Sequence, residues 1–189
     1  HFKKGKQDDA ADCIGFLIDL FYEKTKTNVV MKLRKRDYKQ IEIESFNSWY
    51  SYNKNNFSPI IENFYGQYGS TMICQECKNV NYNFEPFNVL NLPITTPNQT
   101  LLEYIKDYCK EEEIEEWNCE HCKKENIIVK KQTKFFILPT FFCIKLSNIN
   151  YSNMKKIPIN IEKEIELSSI IVNGQNHNYK LFSVVNQSG

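Results

Sequence analysis

The sequence predicts an α+β fold, with helices first and then a largely antiparallel β half into which one helix is inserted near residues 100–110. Three observations carry this. Apolar residues recur at helical spacing between Asp8 and Lys24, and β-branched and aromatic residues dominate from Tyr68 onward. Within that second stretch lie two C-x-x-C pairs, Cys74/Cys77 and Cys119/Cys122.

The first helix is read from DDAADCIGFLIDLFYEK, where Ile14, Leu17, Ile18 and Phe21 share a face. Asp8, Asp9 and Asp12 crowd its first turns, where carboxylates cap free N–H groups and complement the positive end of the helix dipole. SFNSWYSYNKN reads as a short second helix, and SPIIENFY as a third, with Ser58 as N-cap and Pro59 in the first helical position. Strands are expected in STMIC, NVNYNF, FNVLNLPI, NIIVKKQTKFF, TFFCIKL, EIELSSIIV and YKLFSVV, most joined closely enough for antiparallel pairing. TLLEYIKDYC supplies the inserted helix, with Thr100 as N-cap and Leu101, Leu102 and Ile105 on one face.

The 189 residues suit one domain, or a domain with a protruding subdomain. Hydrophobic residues make up 41% and aromatic residues 14%, which excludes a disordered composition. Basic and acidic side chains, 24 and 23, are interleaved, so no whole-domain field draws in nucleic acid or an anionic membrane, and neither is expected as a partner. No apolar run approaches the ~20 residues that cross a bilayer, and no signal segment opens the chain. It reads as intracellular, cytoplasmic or nuclear. Opening on His1 and stopping on NQSG directly after a strand-like run, it is expected to be an excerpt of a longer polypeptide.

Seven cysteines, an odd number, fit a secreted disulfide scaffold poorly. Two C-x-x-C turns present four thiolates to one ion in the tetrahedral arrangement of a structural Zn²⁺ site, which makes Cys74, Cys77, Cys119 and Cys122 the expected ligands. Residues 78–118 between the pairs exceed the ~15–20 of a compact zinc ribbon, so this stretch must fold back on itself. A redox pair or two chance pairs remain the alternative, although the βαβ setting of a thioredoxin-like site is absent. His121 reads as a solvent-facing turn residue, because four thiolates already fill the shell.

At these residues the order of landmarks resembles the ubiquitin-specific protease family. QDDAADCIGFLIDLFYE is similar to the family's QQDAxEFLxxLLDxLHE through Gln7, Asp9, Ala10, Phe16, Leu17, Asp19 and Glu23, with Asp12 in place of Glu. FYGQYGSTMICQEC resembles FxGxxxSxxxCxxC through Phe64, Gly66, Ser70, Cys74 and Cys77, and FEPFNVLNLPI resembles ExFxxLSLPI. The second pair with the following Lys130, Lys131, Leu138, Pro139 and Leu146 makes a fourth block, and YKLFSVVNQSG resembles YxLxaVvnHsG.

The resemblance implies a papain-like hand: thumb helices over residues 1–65, fingers and adjoining palm strands over 66–94 and 115–147, and palm over 95–114 and 148–189. Zinc would close the fingertips, and the long gap between the cysteine pairs becomes two finger strands going down, a palm segment and two coming back. It implies a thiol peptidase cleaving after the C-terminal glycine of ubiquitin, with ubiquitin or ubiquitinated proteins as partners. Gln7, Asp9 and Asp12 match family positions that hold the arginine-bearing ubiquitin tail, and Tyr151 matches an aromatic flanking it. Helix capping is the competing role for the acids, and strand packing for Tyr151.

No catalytic residue is assigned here. The family's nucleophile lies in a box before the QDA helix, and its base in a G-H-Y motif after the terminal turn, both expected outside these residues. Cys13 matches a packing position, Cys109 and Cys143 have apolar neighbours, and His177 only superficially resembles the G-H-Y histidine. The LKRF strand end is here Leu146, Ser147, Asn148 and Ile149, and Gln187 replaces the histidine of HSG. An inactive scaffold that binds ubiquitin or assembles a complex is therefore the second reading.

Overall fold

The computed structural model describes residues 9–34, 37–150, 155–172 and 177–186. Helix α1 (Ala10–Thr25) starts at Asp9, whose carboxylate accepts the Ala11 N–H at 2.8 Å. Helix α2 (Gln40–Asn53) starts earlier than expected, because the Glu42 carboxylate folds back on the Lys39 N–H at 2.9 Å and closes the first turn. Helix α3 (Pro59–Phe64) has the predicted cap, with Ser58 Oγ accepting from Ile60 N–H at 3.0 Å. The three share a core of Ile18, Ile61 and Tyr65, flanked by Ile14, Tyr22 and Trp49.

Strands β1 (Gly66–Cys74) and β2 (Val80–Phe87) form an antiparallel hairpin, and β3 (Val89–Pro93) follows. Helix α4 (Leu101–Tyr108) carries a complete capping box: Thr100 Oγ1 accepts from Glu103 N–H, and Glu103 Oε2 accepts from Thr100 N–H. After it come β4 (Glu111–Trp117) and β5 (Ile127–Ile137), and the main sheet has the order β2-β1-β5-β4, every neighbour antiparallel. The segment from α4 into β4 thus folds the long gap between the cysteine pairs back on itself.

Periodicity names no strand where β4 lies, and glutamates stand there at 111, 112, 113, 115 and 116. Register explains the strand: Lys130 and Lys131 on β5 pair with Glu111 and Glu112 at 2.8 and 2.9 Å, while Ile114 turns onto Val129. The same charges blunt an exposed sheet edge against further pairing. A bulge between Ile114 and Trp117 places Glu116 at φ 58°.

Strand β6 (Cys143–Ser147) pairs with β3 in parallel, a departure from the expected antiparallel half, and the two are distant in sequence and joined by the whole β4–β5 excursion. Short β7 (Ile149–Asn150) and β8 (Lys155–Lys156) form a ladder, as do β9 (Glu164–Glu166) and β10 (Asn178–Lys180). The expected strand YKLFSVV is shorter: Leu181 N–H still reaches Lys163 O, and Phe182–Asn186 has no ladder partner among the described residues. The larger core gathers α4 against the sheet through Ile105, Tyr104, Leu90, Leu92, Phe135 and Leu167.

Tyr65 ties the helices to this β half. Its hydroxyl donates to Asp19 Oδ1 at 2.8 Å, and Asn88, between β2 and β3, reaches the same oxygen at 3.5 Å. This fixes α1 along the edge where β3 and β6 pair.

Candidate functional site

The two C-x-x-C pairs form matching turns at one end of the main sheet. In the first, Lys78 N–H donates to Cys74 O at 3.0 Å and Cys74 N–H to Asn79 O at 3.0 Å. In the second, Lys123 N–H donates to Cys119 O at 2.9 Å and Cys119 N–H to Lys124 O at 2.9 Å. Lys78 and Lys123 each take φ 59°, a left-handed conformation that a side chain disfavours and that persists where surrounding bonds over-determine it. The knuckles are thus the same backbone device used twice.

All four sulfurs lie within 4.8 Å of one another, with Cys74 and Cys119 buried and Cys77 and Cys122 half-buried. A tetrahedral ion with Zn–S near 2.3 Å requires sulfurs about 3.8 Å apart, and Cys77 Sγ and Cys119 Sγ stand 3.8 Å apart. An all-thiolate donor set suits Zn²⁺ and excludes hard cations such as Mg²⁺ and Ca²⁺. Trp117, Ile114, Ile127 and Val129 pack around the sulfurs as a small apolar shell. The Cys122 N–H, aided by that of His121, draws the Cys119 thiol down to about 7 against the effect of burial. Cys77 feels the lowering effect of the Asn79 backbone, but desolvation and the three other thiols take it up to about 11.

His121 is exposed, in keeping with a turn residue outside the sulfur shell. Spacing gave no hint of a further contact: Glu76 in the first knuckle forms an ion pair with Lys124 in the second, crossing between the turns.

The acids at the start of α1 have a different setting. Asp9 is the N-cap, and both it and Asp12 face Lys145 of β6, whose Nζ lies 2.5 Å from Asp9 Oδ2 and 3.9 Å from Asp12 Oδ1. The hydrogen bond from Lys145 is the main reason the Asp9 carboxyl is held below its ordinary range. Asp9 therefore caps the helix while remaining partly open to solvent, so the capping and ligand roles are compatible. Sequence reading misses Lys145, which lies 136 positions away. Gln7 and Tyr151 lie outside the described residues.

Two of the remaining thiols sit in apolar surroundings. Cys109 is buried in the larger core, which pushes its thiol up to about 12, and burial also raises Cys143 on β6. Both are poor nucleophiles in that state. Cys13 is half-buried on α1. His177 Nε2 is enclosed and has no hydrogen-bond partner among the described residues.

The family profile described as ubiquitin carboxyl-terminal hydrolase matches residues 1–189. The chain is a member of the ubiquitin carboxyl-terminal hydrolase family. Ubiquitin carboxyl-terminal hydrolase 4 of Eremothecium gossypii is 27% identical over 186 residues, covering 91% of this chain and 22% of that protein. The enzyme of the same name from Saccharomyces cerevisiae strain YJM789 is 29% identical over 148 residues, covering 70% of this chain and 16% of that protein. The chain thus spans less than a quarter of the length of these relatives. Among solved structures, the SAGA DUB module of Ubp8, Sgf11, Sus1 and Sgf73 bound to monoubiquitin matches with a TM-score of 0.66 at 20% identity, over 97% of this chain and 38% of that one. A second structure of that module, bound to ubiquitin aldehyde, gives the same TM-score.

The mixed α/β architecture of this family member is accordingly that of the ubiquitin-specific protease fold, with four clustered cysteines placed for a zinc ribbon. Among the described residues no helix is long and apolar enough to cross a membrane.

Proposed function

We propose that this chain is the substrate-gripping part of a deubiquitinating thiol peptidase that cleaves after the C-terminal glycine of ubiquitin. The observation that carries the reading is the family match along all of residues 1–189, joined to a four-sulfur cluster of zinc dimensions. In this reading α1–α3 (residues 1–65) are the thumb. Residues 66–94 and 115–147 form the fingers and adjoining palm strands, and residues 95–114 and 148–189 complete the palm. Cys74, Cys77, Cys119 and Cys122 hold a structural Zn²⁺ that locks the fingertips. Gln7, Asp9, Asp12 and Tyr151 meet the arginine-bearing tail of ubiquitin, where carboxylates and guanidinium groups make strong paired hydrogen bonds. The nucleophile and base belong to other parts of the polypeptide.

One observation favours a second reading, an inactive scaffold that still binds ubiquitin: Gln187 stands where the family motif has histidine, and Ser147–Ile149 replace its KRF. Hydrolysis of ubiquitin–rhodamine by the full-length protein separates the two. Turnover that survives Cys13→Ala supports the peptidase with its nucleophile elsewhere. Ubiquitin binding without turnover supports the scaffold.

A further inference from the structure

Two carboxylates offered to an arginine-bearing tail are, in this molecule, already in contact with a cation of the chain itself. Asp9 Oδ1 is committed to the Ala11 N–H, which leaves Oδ2 as its outward oxygen, and Lys145 Nζ holds that atom at 2.5 Å. Asp12 Oδ1, one turn along the same helix, stands 3.9 Å from the ammonium, too far for a hydrogen bond. Between these two acids, Lys145 makes its hydrogen bond to Asp9 and only stands near Asp12. Its place is secured by β6, which pairs with β3 so that Lys145 lies opposite Asn91, and by the Tyr65–Asp19 bond that holds α1 to the β half.

We propose that Lys145 is a specificity-determining residue of this site, a tethered counter-cation that an incoming tail arginine displaces from Asp9. The inference rests on the tail-binding role proposed above for Asp9 and Asp12. A guanidinium presents its donors as a planar fork and can engage Asp9 Oδ2 and Asp12 Oδ1 together, whereas an ammonium acts as a point charge. An incoming lysine offers nothing that Lys145 does not already supply at the high effective concentration of a tethered group. An incoming arginine adds the second carboxylate. Lys145 thus turns a pair of acids that would accept any cation into one that selects guanidinium.

The test measures binding of ubiquitin to the full-length protein by calorimetry, alongside ubiquitin whose tail arginines are replaced by lysine or by glutamine. Lys145→Met removes the competitor, and Lys145→Gln gives a second, more polar version of the same change. Both are expected to bind ubiquitin roughly two- to fivefold more tightly, the range of a partly exposed ion pair. Both are also expected to lose part of the preference for arginine over lysine tails, and to show no gain with the glutamine tail. Lys145→Arg places a tethered planar fork within reach of both carboxylates, so it is expected to bind ubiquitin more weakly than wild type. Asp9→Asn retains an N-cap oxygen while removing the charge, so its effect reads the site rather than the helix. If Asp9→Asn and Asp12→Asn weaken binding but neither Lys145→Met nor Lys145→Gln strengthens it, the displacement idea is overturned while the tail site stands. If both acid variants bind as wild type, the tail site falls and this inference with it.

Discussion

Cys77 Sγ and Cys119 Sγ meet at 3.8 Å although 42 positions separate them in the chain. The antiparallel register of β1, β5 and β4 brings them together, because Cys74 lies opposite Val129 while Trp117 lies opposite Ile127. Each strand end then turns by the same knuckle. The expected outcome is one zinc ion per chain by native mass spectrometry, lost in Cys74→Ser. Unchanged metal content in that variant would refute the four-thiolate site. Because a structural zinc contributes folding free energy locally, chelation should speed amide exchange at the ends of β1 and β5 while α4 stays protected.

Two glycines should respond in opposite directions to alanine. A Cβ on Gly66 would fall against the Phe87 ring and 2.7 Å from the Ile137 carbonyl oxygen, which belongs to a paired strand and has little room to yield. Gly66→Ala is expected to destabilise by ~1–3 kcal/mol, the usual cost of overpacking. Gly15, inside α1, meets nothing within 4 Å of an added Cβ, so Gly15→Ala should stabilise by ~0.5–1 kcal/mol through helix propensity alone. Urea unfolding midpoints of the two variants check both signs.

Ser45 Oγ donates to Gln67 Oε1 at 2.6 Å, and both side chains are buried, Gln67 to 1% exposure. Ser45→Ala leaves that amide oxygen without its donor, which costs ~1–3 kcal/mol. Replacing both residues by apolar ones should recover part of the loss. A double-mutant cycle that shows no coupling would count against this contact as a link between α2 and β1.

Alkaline titration should reveal late-ionising members among the eleven tyrosines. Burial pushes the Tyr179 phenol up to about 12, and burial together with the neighbouring Asp19 and Glu85 carboxylates raises Tyr65 and Tyr68 well above their ordinary value of 10. A phenol held protonated in the folded state contributes stability fully present below pH 10. That contribution is lost as pH rises toward the folded values, because the unfolded chain ionises first. Absorbance at phenolate wavelengths should therefore show Tyr65, Tyr68 and Tyr179 ionising late, together with unfolding. A single titration step near 10 for all of them would contradict the packing around Tyr65, Tyr68 and Tyr179.

Where a signal is local, the sequence was legible. The Thr100 box, the Ser58–Pro59 start and the Asp9 cap are each complete within four residues, and all three helices begin where those signals lie. The start of α2 is not legible, because Gln40–Glu44 alternates polar and apolar residues as a strand does, and side-chain bonds from Glu42 and between Gln40 and Glu44 support the helix. On α1, Leu17 and Phe21 share a periodicity with Ile14 and Ile18, yet they are 45% and 57% exposed. Helical period marks a face as apolar without saying what covers it.

By itself, then, the sequence determined the helices, the β character of the second half and the two matching cysteine turns, because caps, alternation and C-x-x-C turns act over a few bonds. Tertiary structure alone decided the rest. It made a strand of Glu111–Trp117 by supplying Lys130 and Lys131 across the ladder, set β3 and β6 parallel, and carried Lys145 to Asp9. Contacts of that kind join residues whose local sequence is compatible with many partners. Only the register of the strands, set by burying Phe135, Leu90 and Leu92 together, selects one.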